Sequence, residues 1–188
     1  IAIGGQSVFE SLEPLTQLLS LLLGEPIGDL GVVVDRPVVF PVTDLLLRLF
    51  LAADIDAIQP PAHEPWGVLA ARLEAHFGPL WSAVEPVARQ VHGDDGTRQA
   101  RLGALRSDWP RTRAELRVIL GENPTSPDDL LRAGAPARFA DIGVTGLRAR
   151  DALLHARFVR ARYTVLDLLA ELGVLESWVD DLLAAGDL

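Results

Sequence analysis

The chain has 188 residues, a formal charge of -9 at pH 7 and 17 basic residues, every one of them Arg. That length fits one domain, or one domain with a small appendage, and so acidic a chain repels a phosphate backbone, which excludes nucleic acid as the expected partner. With no Cys and no Lys in the sequence, disulfides, thiolate ligands, thiol nucleophiles, Schiff-base chemistry and a P-loop lysine are excluded together.

Ile1 to Gly5 reads as a short strand running into glycines, and Ser7 caps a helix that continues to about Leu23, where Gly24 stops it. Leu30 to Asp35 is a second apolar run of strand length. Residues 1–40 thus carry strand, Gly turn, helix and strand, a βαβ unit with a parallel pair. The apolar run Leu15 to Leu23 is interrupted by Gln17 and Ser20 and is too short to cross a bilayer. No basic leader precedes it, so neither a membrane span nor a signal peptide is expected, and the cytoplasm is the expected location. The first residue is not Met and the strand begins abruptly at Ile1, which raises the expectation of a longer product.

From Pro41 the apolar period changes, and residues 41–188 read as helical. Leu45, Leu46, Leu49 and Phe50 form one helical face, and Pro60, Pro61 and Pro65 make a linker that no helix crosses. A helix is expected over Val68 to Val91, with Leu69, Leu73, Phe77, Leu80, Trp81, Val84 and Val91 on its stripe and a kink at Gly78-Pro79. His92 to Gly96 is a turn. Leu102, Leu105 and Trp109 mark the next helix, and Leu116, Ile119 and Leu120 mark another that ends at Gly121. Thr125 to Asp129 supplies caps, an early proline and acidic first-turn residues, so a further helix starts there. The longest helix is expected from about Thr145 to Leu172, on a stripe of Leu147, Leu154, Phe158, Ala161, Val165, Leu168 and Leu172. Gly173 ends it, and Trp178, Val179, Leu182 and Leu183 give a short terminal helix.

The run RARYTVLDLLAELGVL, Arg160 to Leu175, together with the preceding ADIGVTGLRARDALLHARFV, resembles the C-terminal end of the sn-glycerol-1-phosphate dehydrogenase family, relatives of the iron-containing alcohol dehydrogenases and dehydroquinate synthases. WGVLAARLEAHFGPLW, RLGALRSDW and LLRAGAPARFADIGV keep the family's order. The resemblance implies a mainly α protein: a dehydroquinate synthase-like helical bundle over residues 41–188, behind a small N-terminal βαβ remnant of the nucleotide-binding domain in residues 1–40. It also implies a reaction, the reduction of dihydroxyacetone phosphate with a nicotinamide cofactor, NAD or NADP, and a divalent metal such as zinc.

IAIGGQSVFESLEP resembles the family's Gly-Gly-Gly-Ser/Thr-x-x-Asp turn, whose glycines let backbone amides approach the cofactor pyrophosphate at a helix N-terminus. Gly4, Gly5 and Ser7 stand in register as cofactor-binding residues. Gln6 replaces the third glycine, Glu10 the aspartate and Glu13 a lysine, so a side chain and a misplaced anion weaken the cradle. PVTDLLLRLFLAADIDA places Asp44 at the family's first metal ligand, and PAHEPWGVLAARL places His63 at a histidine ligand. A carboxylate and imidazoles around an open position would let Zn2+ polarise a ketone carbonyl. The simpler reading of Asp44 is a helix-start residue beside Thr43.

The other three histidines have no short ligand spacing: His76 and His155 read as packed or paired helix residues and His92 as part of a turn. Arg148, Arg150, Arg157, Arg160 and Arg162 crowd one segment and match phosphate oxygens, but nearby Asp151, Asp167 and Glu171 favour local ion pairs. A hydrophobic share of 49% points to a sizeable buried interface, hence a homo-oligomer. The reading is a shortened oxidoreductase relative, acting on a small phosphorylated substrate if active, with weak or lost activity. The alternative is a non-catalytic helical interaction or dimerisation module.

Overall fold

The computed structural model describes residues 39–122, 131–132, 134, 136–144 and 146–186. The expected βαβ unit and the helix start at Thr125 to Asp129 lie outside the described residues. The described chain is mainly helical, as the period of its apolar residues predicts, and contains no strand among those residues. None of its helices is long and apolar enough to cross a membrane.

Helix α1, Val39–Ala52, is apolar on nearly every side and occupies the middle of the main core. Val42, Leu46 and Phe50 recur every fourth residue and are buried, and Leu47 and Leu51 extend the buried surface to the flank, leaving Arg48 exposed. Ile55, buried just beyond the helix, continues that core into the proline linker.

The expected single helix over Val68 to Val91 is two helices. Helix α2, Trp66–Phe77, and helix α3, Trp81–His92, are separated by a 3-10 turn at Gly78–Leu80. The reason is local: Gly78 sits at φ +51, a conformation that ends an α-helix, and Pro79 has no N–H with which to continue it. Leu69 and Leu73 of α2 then meet Val84 and Ala88 of α3 in a second, smaller core. Helix α4, Asp95–Ser107, starts at Asp94, whose carboxylate accepts from the Thr97 N–H at 2.8 Å. Helix α5, Trp109–Glu122, brings Trp109 and Leu116 to the main core.

The largest departure from expectation is in the segment read as one helix from Thr145 to Leu172. Helix α6, Leu147–His155, passes into a 3-10 turn, Ala156–Val159, the backbone extends at Arg160, and helix α7, Val165–Leu172, starts afresh. Thr164 and Asp167 set the restart: the Thr164 N–H and hydroxyl both donate to Asp167 Oδ2 at 2.8 Å. The break lets one segment serve two cores. Phe158 enters the smaller core, whereas Val165, Leu168, Leu169 and Leu172 enter the main one. Leu147 and Ala161, expected on the buried stripe, are exposed.

Gly173 ends α7 at φ +79, and helix α8, Leu175–Ala185, follows with Leu175, Val179 and Leu182 buried. Position 173 has a second constraint, because a Cβ there would lie 2.6 Å from Pro61 Cδ. Gly173→Ala is therefore expected to destabilise the fold by about 1–3 kcal/mol, through left-handed strain and overlap with the proline ring. Urea unfolding of the two proteins measures it. An unchanged midpoint would mean that the linker does not pack on this turn.

Candidate functional site

Gly4, Gly5 and Ser7 lie outside the described residues. Asp44 lies inside α1, which starts at Val39, and not at the helix start as expected; its carboxylate accepts from Arg48 Nε at 2.6 Å and Arg48 Nη2 at 3.3 Å. The helical spacing of four residues produces that pair. His63 belongs to the linker, its ring 4.2 Å from the ring of His92 and its Nε2 donating to the His92 carbonyl at 3.4 Å. His92 in turn donates from Nε2 to the Glu64 carbonyl at 2.7 Å, so the two imidazoles pin the linker to the end of α3. Among the described residues, neither Asp44 nor His63 falls in a group of three ligand-bearing side chains within 4.8 Å. Asp44 is engaged by Arg48, and His63 by the end of α3.

The bundle interior contains a connected set of polar side chains. Arg98 is only 4% exposed, and its Nη2 donates to the carbonyls of Pro61 at 2.6 Å and Glu171 at 2.9 Å. One side chain on α4 thereby ties the linker to α7. Arg101 forms an ion pair with Glu171 and lies over the Tyr163 ring, 4.2 Å from its centre, and the Tyr163 hydroxyl donates to Glu171 Oε2 at 2.8 Å. Burial pushes the Tyr163 phenol up, and the neighbouring Glu171 carboxylate pushes it further, so it stays a neutral donor. Arg106 and Arg113 likewise donate to the carbonyls of Ile58 and Leu51.

Asp167, 1% exposed, accepts from Thr164 and pairs with Arg157 Nη1 at 3.4 Å. Burial raises the Asp167 carboxyl against the opposing pull of Arg157, and burial lowers the Arg157 guanidinium against the opposing pull of Asp167. Each charge is held mainly by the other, which makes their removal one at a time costly. Arg150 belongs to a different face, where it pairs with Asp180 at 2.5 Å and Glu176 at 3.3 Å and clamps α6 to α8. Arg157 thus pairs with Asp167, as expected for the arginine-rich segment, whereas Arg150 pairs across helices with Asp180 and Glu176.

A different group of ligand-bearing side chains comes together outside this network. His76, in the last turn of α2, meets Asp151 and His155 of α6, with candidate ligand atoms all within 4.8 Å of one another. His155 Nδ1 is 3.2 Å and His76 Nδ1 3.6 Å from the Asp151 carboxylate. The two imidazole rings are stacked, 3.7 Å between centres and 10° from parallel, with Phe77 edge-on to His76 at 4.7 Å. The Asp151-His155 half of this group follows from residues four apart on one helix. His76 has no sequence signal to join it, since only the packing of α2 beside α6 brings it there. Asp151 also lines a shallow recess of about 270 Å³ with Leu147, Arg148 and Arg150.

No family model matches the chain, and no curated protein or solved structure matches it.

Proposed function

We propose that this chain is a non-catalytic helical interaction module that associates with a second copy of itself, on a scaffold descended from the sn-glycerol-1-phosphate dehydrogenases. The observation that supports this reading most is the engagement of its interior polar groups with one another. Glu171 takes Arg101 and Tyr163, and Asp167 takes Thr164 and Arg157. Reduction of a phosphorylated ketone needs acid, cation and metal-binding groups converging on a substrate-sized space. In the interior network Arg98, Arg101, Glu171 and Tyr163 instead tie the linker and helices to one another.

In this reading Asp44 and His63 mark ancestral ligand positions, and Gly4, Gly5 and Ser7 the altered cradle for NAD or NADP. Self-association is supported by the apolar side chains left on the surface, above all Leu147 at 83% and Leu80 at 65% exposure. A cytoplasmic location belongs to the same proposal. Light scattering on the purified protein is the test. The reading predicts a defined dimer or higher oligomer, and a monodisperse monomer that binds no apolar dye would overturn it.

A further inference from the structure

We propose that His76, Asp151 and His155 form a binding site for a borderline divalent cation, of which Zn2+ is the type. The chain has no Cys, so such an ion must be taken by nitrogen and oxygen donors, and two imidazoles with one carboxylate are donors that suit it. Both imidazole Nδ1 atoms already face the same carboxylate, at 3.2 and 3.6 Å. As placed, His155 Nδ1 donates to the Asp151 backbone carbonyl at 2.9 Å, and that contact is exchanged for the cation. A cation between the three side chains replaces that arrangement, each neutral imidazole that ligates through Nδ1 carrying its proton on Nε2.

The rings must move for this. Stacked 3.7 Å apart, they cannot both hold one ion in their planes, so at least one turns about its Cβ–Cγ bond. The side chains are free to do so on their outer side, with 29% of His76, 19% of His155 and 54% of Asp151 exposed. Three protein donors leave a coordination position for water or a small anion, and the recess lined by Arg148 and Arg150 opens beside Asp151.

The consequence is mechanical. Helix α2 belongs to the smaller core through Leu69 and Leu73, and α6 reaches the main core through Leu153. A bound ion adds a link between α2 and α6 beside the stacked pair of His76 and His155.

Zn2+ added to the full chain at a hundred times its dissociation constant is expected to raise the melting temperature by about 5–10 °C. Calorimetric titration with ZnCl2 should show one equivalent bound, and CoCl2 should give a visible absorption band from an imidazole-containing site. His76→Gln, Asp151→Asn and His155→Gln should each abolish the band and the thermal shift, whereas His63→Gln should keep both. Circular dichroism before titration checks that each variant is helical. The absence of saturable binding in the native chain, or binding that survives all three substitutions, would overturn the site. Neither result bears on the oligomeric state, so this inference and the proposed function stand or fall separately.

Discussion

Phe50→Ala is expected to destabilise the protein by about 3–5 kcal/mol, which lowers the melting temperature by about 6–20 °C. Phe50 is 1% exposed at the centre of the main core, and its ring lies 4.8 Å from that of Trp109 at a tilt of 56°. Truncation removes the transfer free energy of a large ring and leaves a cavity walled by α1 and α5, neither of which can close in without disturbing the other contacts of the core. Glu74→Ala is the matching control. Glu74 is exposed on α2, so its loss should change stability by less than about 0.5 kcal/mol. Urea unfolding of both variants measures the difference, and a Phe50→Ala loss below about 1 kcal/mol would contradict the packing of α1 against α5.

Arg98→Ala is expected to cost about 2–4 kcal/mol. Its guanidinium supplies the Pro61 and Glu171 carbonyls at 2.6 and 2.9 Å and pairs with Asp95 at 3.2 Å. Removing it leaves those carbonyls without their donor in partly buried surroundings and opens a void along the stem. Arg98→Met separates the two contributions, because it refills the stem volume and supplies no N–H. The Met variant should recover less than half of the loss. Full recovery would mean that Arg98 acts by packing alone, and that its hydrogen bonds do not hold the linker to α7.

Much of the helical content is legible in the sequence because apolar period follows directly from burial. Leu102, Leu116, Val179 and Leu182 lie where the spacing puts them, and Gly173 ends its helix. The breaks are less legible. Gly78-Pro79 reads as a kink, yet a positive φ at Gly78 makes it a full interruption. The stripe from Leu147 to Leu172 advances at helical intervals through a segment that is not helical at Arg160, and counting the stripe hides the Thr164-to-Asp167 cap inside it. A cap signature within an apolar run should outweigh continuity of the run, since it names a physical end to the hydrogen-bond ladder.

The sites are legible only where residues are neighbours in sequence. The Asp151-His155 pair is a helical spacing, as is Asp44 with Arg48, and the latter explains why Asp44 is engaged. His76 reaches its partners across 75 or more positions through the packing of α2, and Arg98 finds Glu171 73 residues away. Pairings of that range depend on tertiary packing, which no local pattern encodes.

If the polar interior of this chain serves its architecture and has ceased to serve hydride transfer, as proposed, the loss can be measured directly. The purified protein is titrated with NADH and NADPH in the presence of Zn2+, and dihydroxyacetone phosphate is then added while nicotinamide oxidation is monitored. No turnover above the uncatalysed background is expected, whether or not zinc binds. Stoichiometric cofactor binding with turnover of the ketone would contradict the proposal.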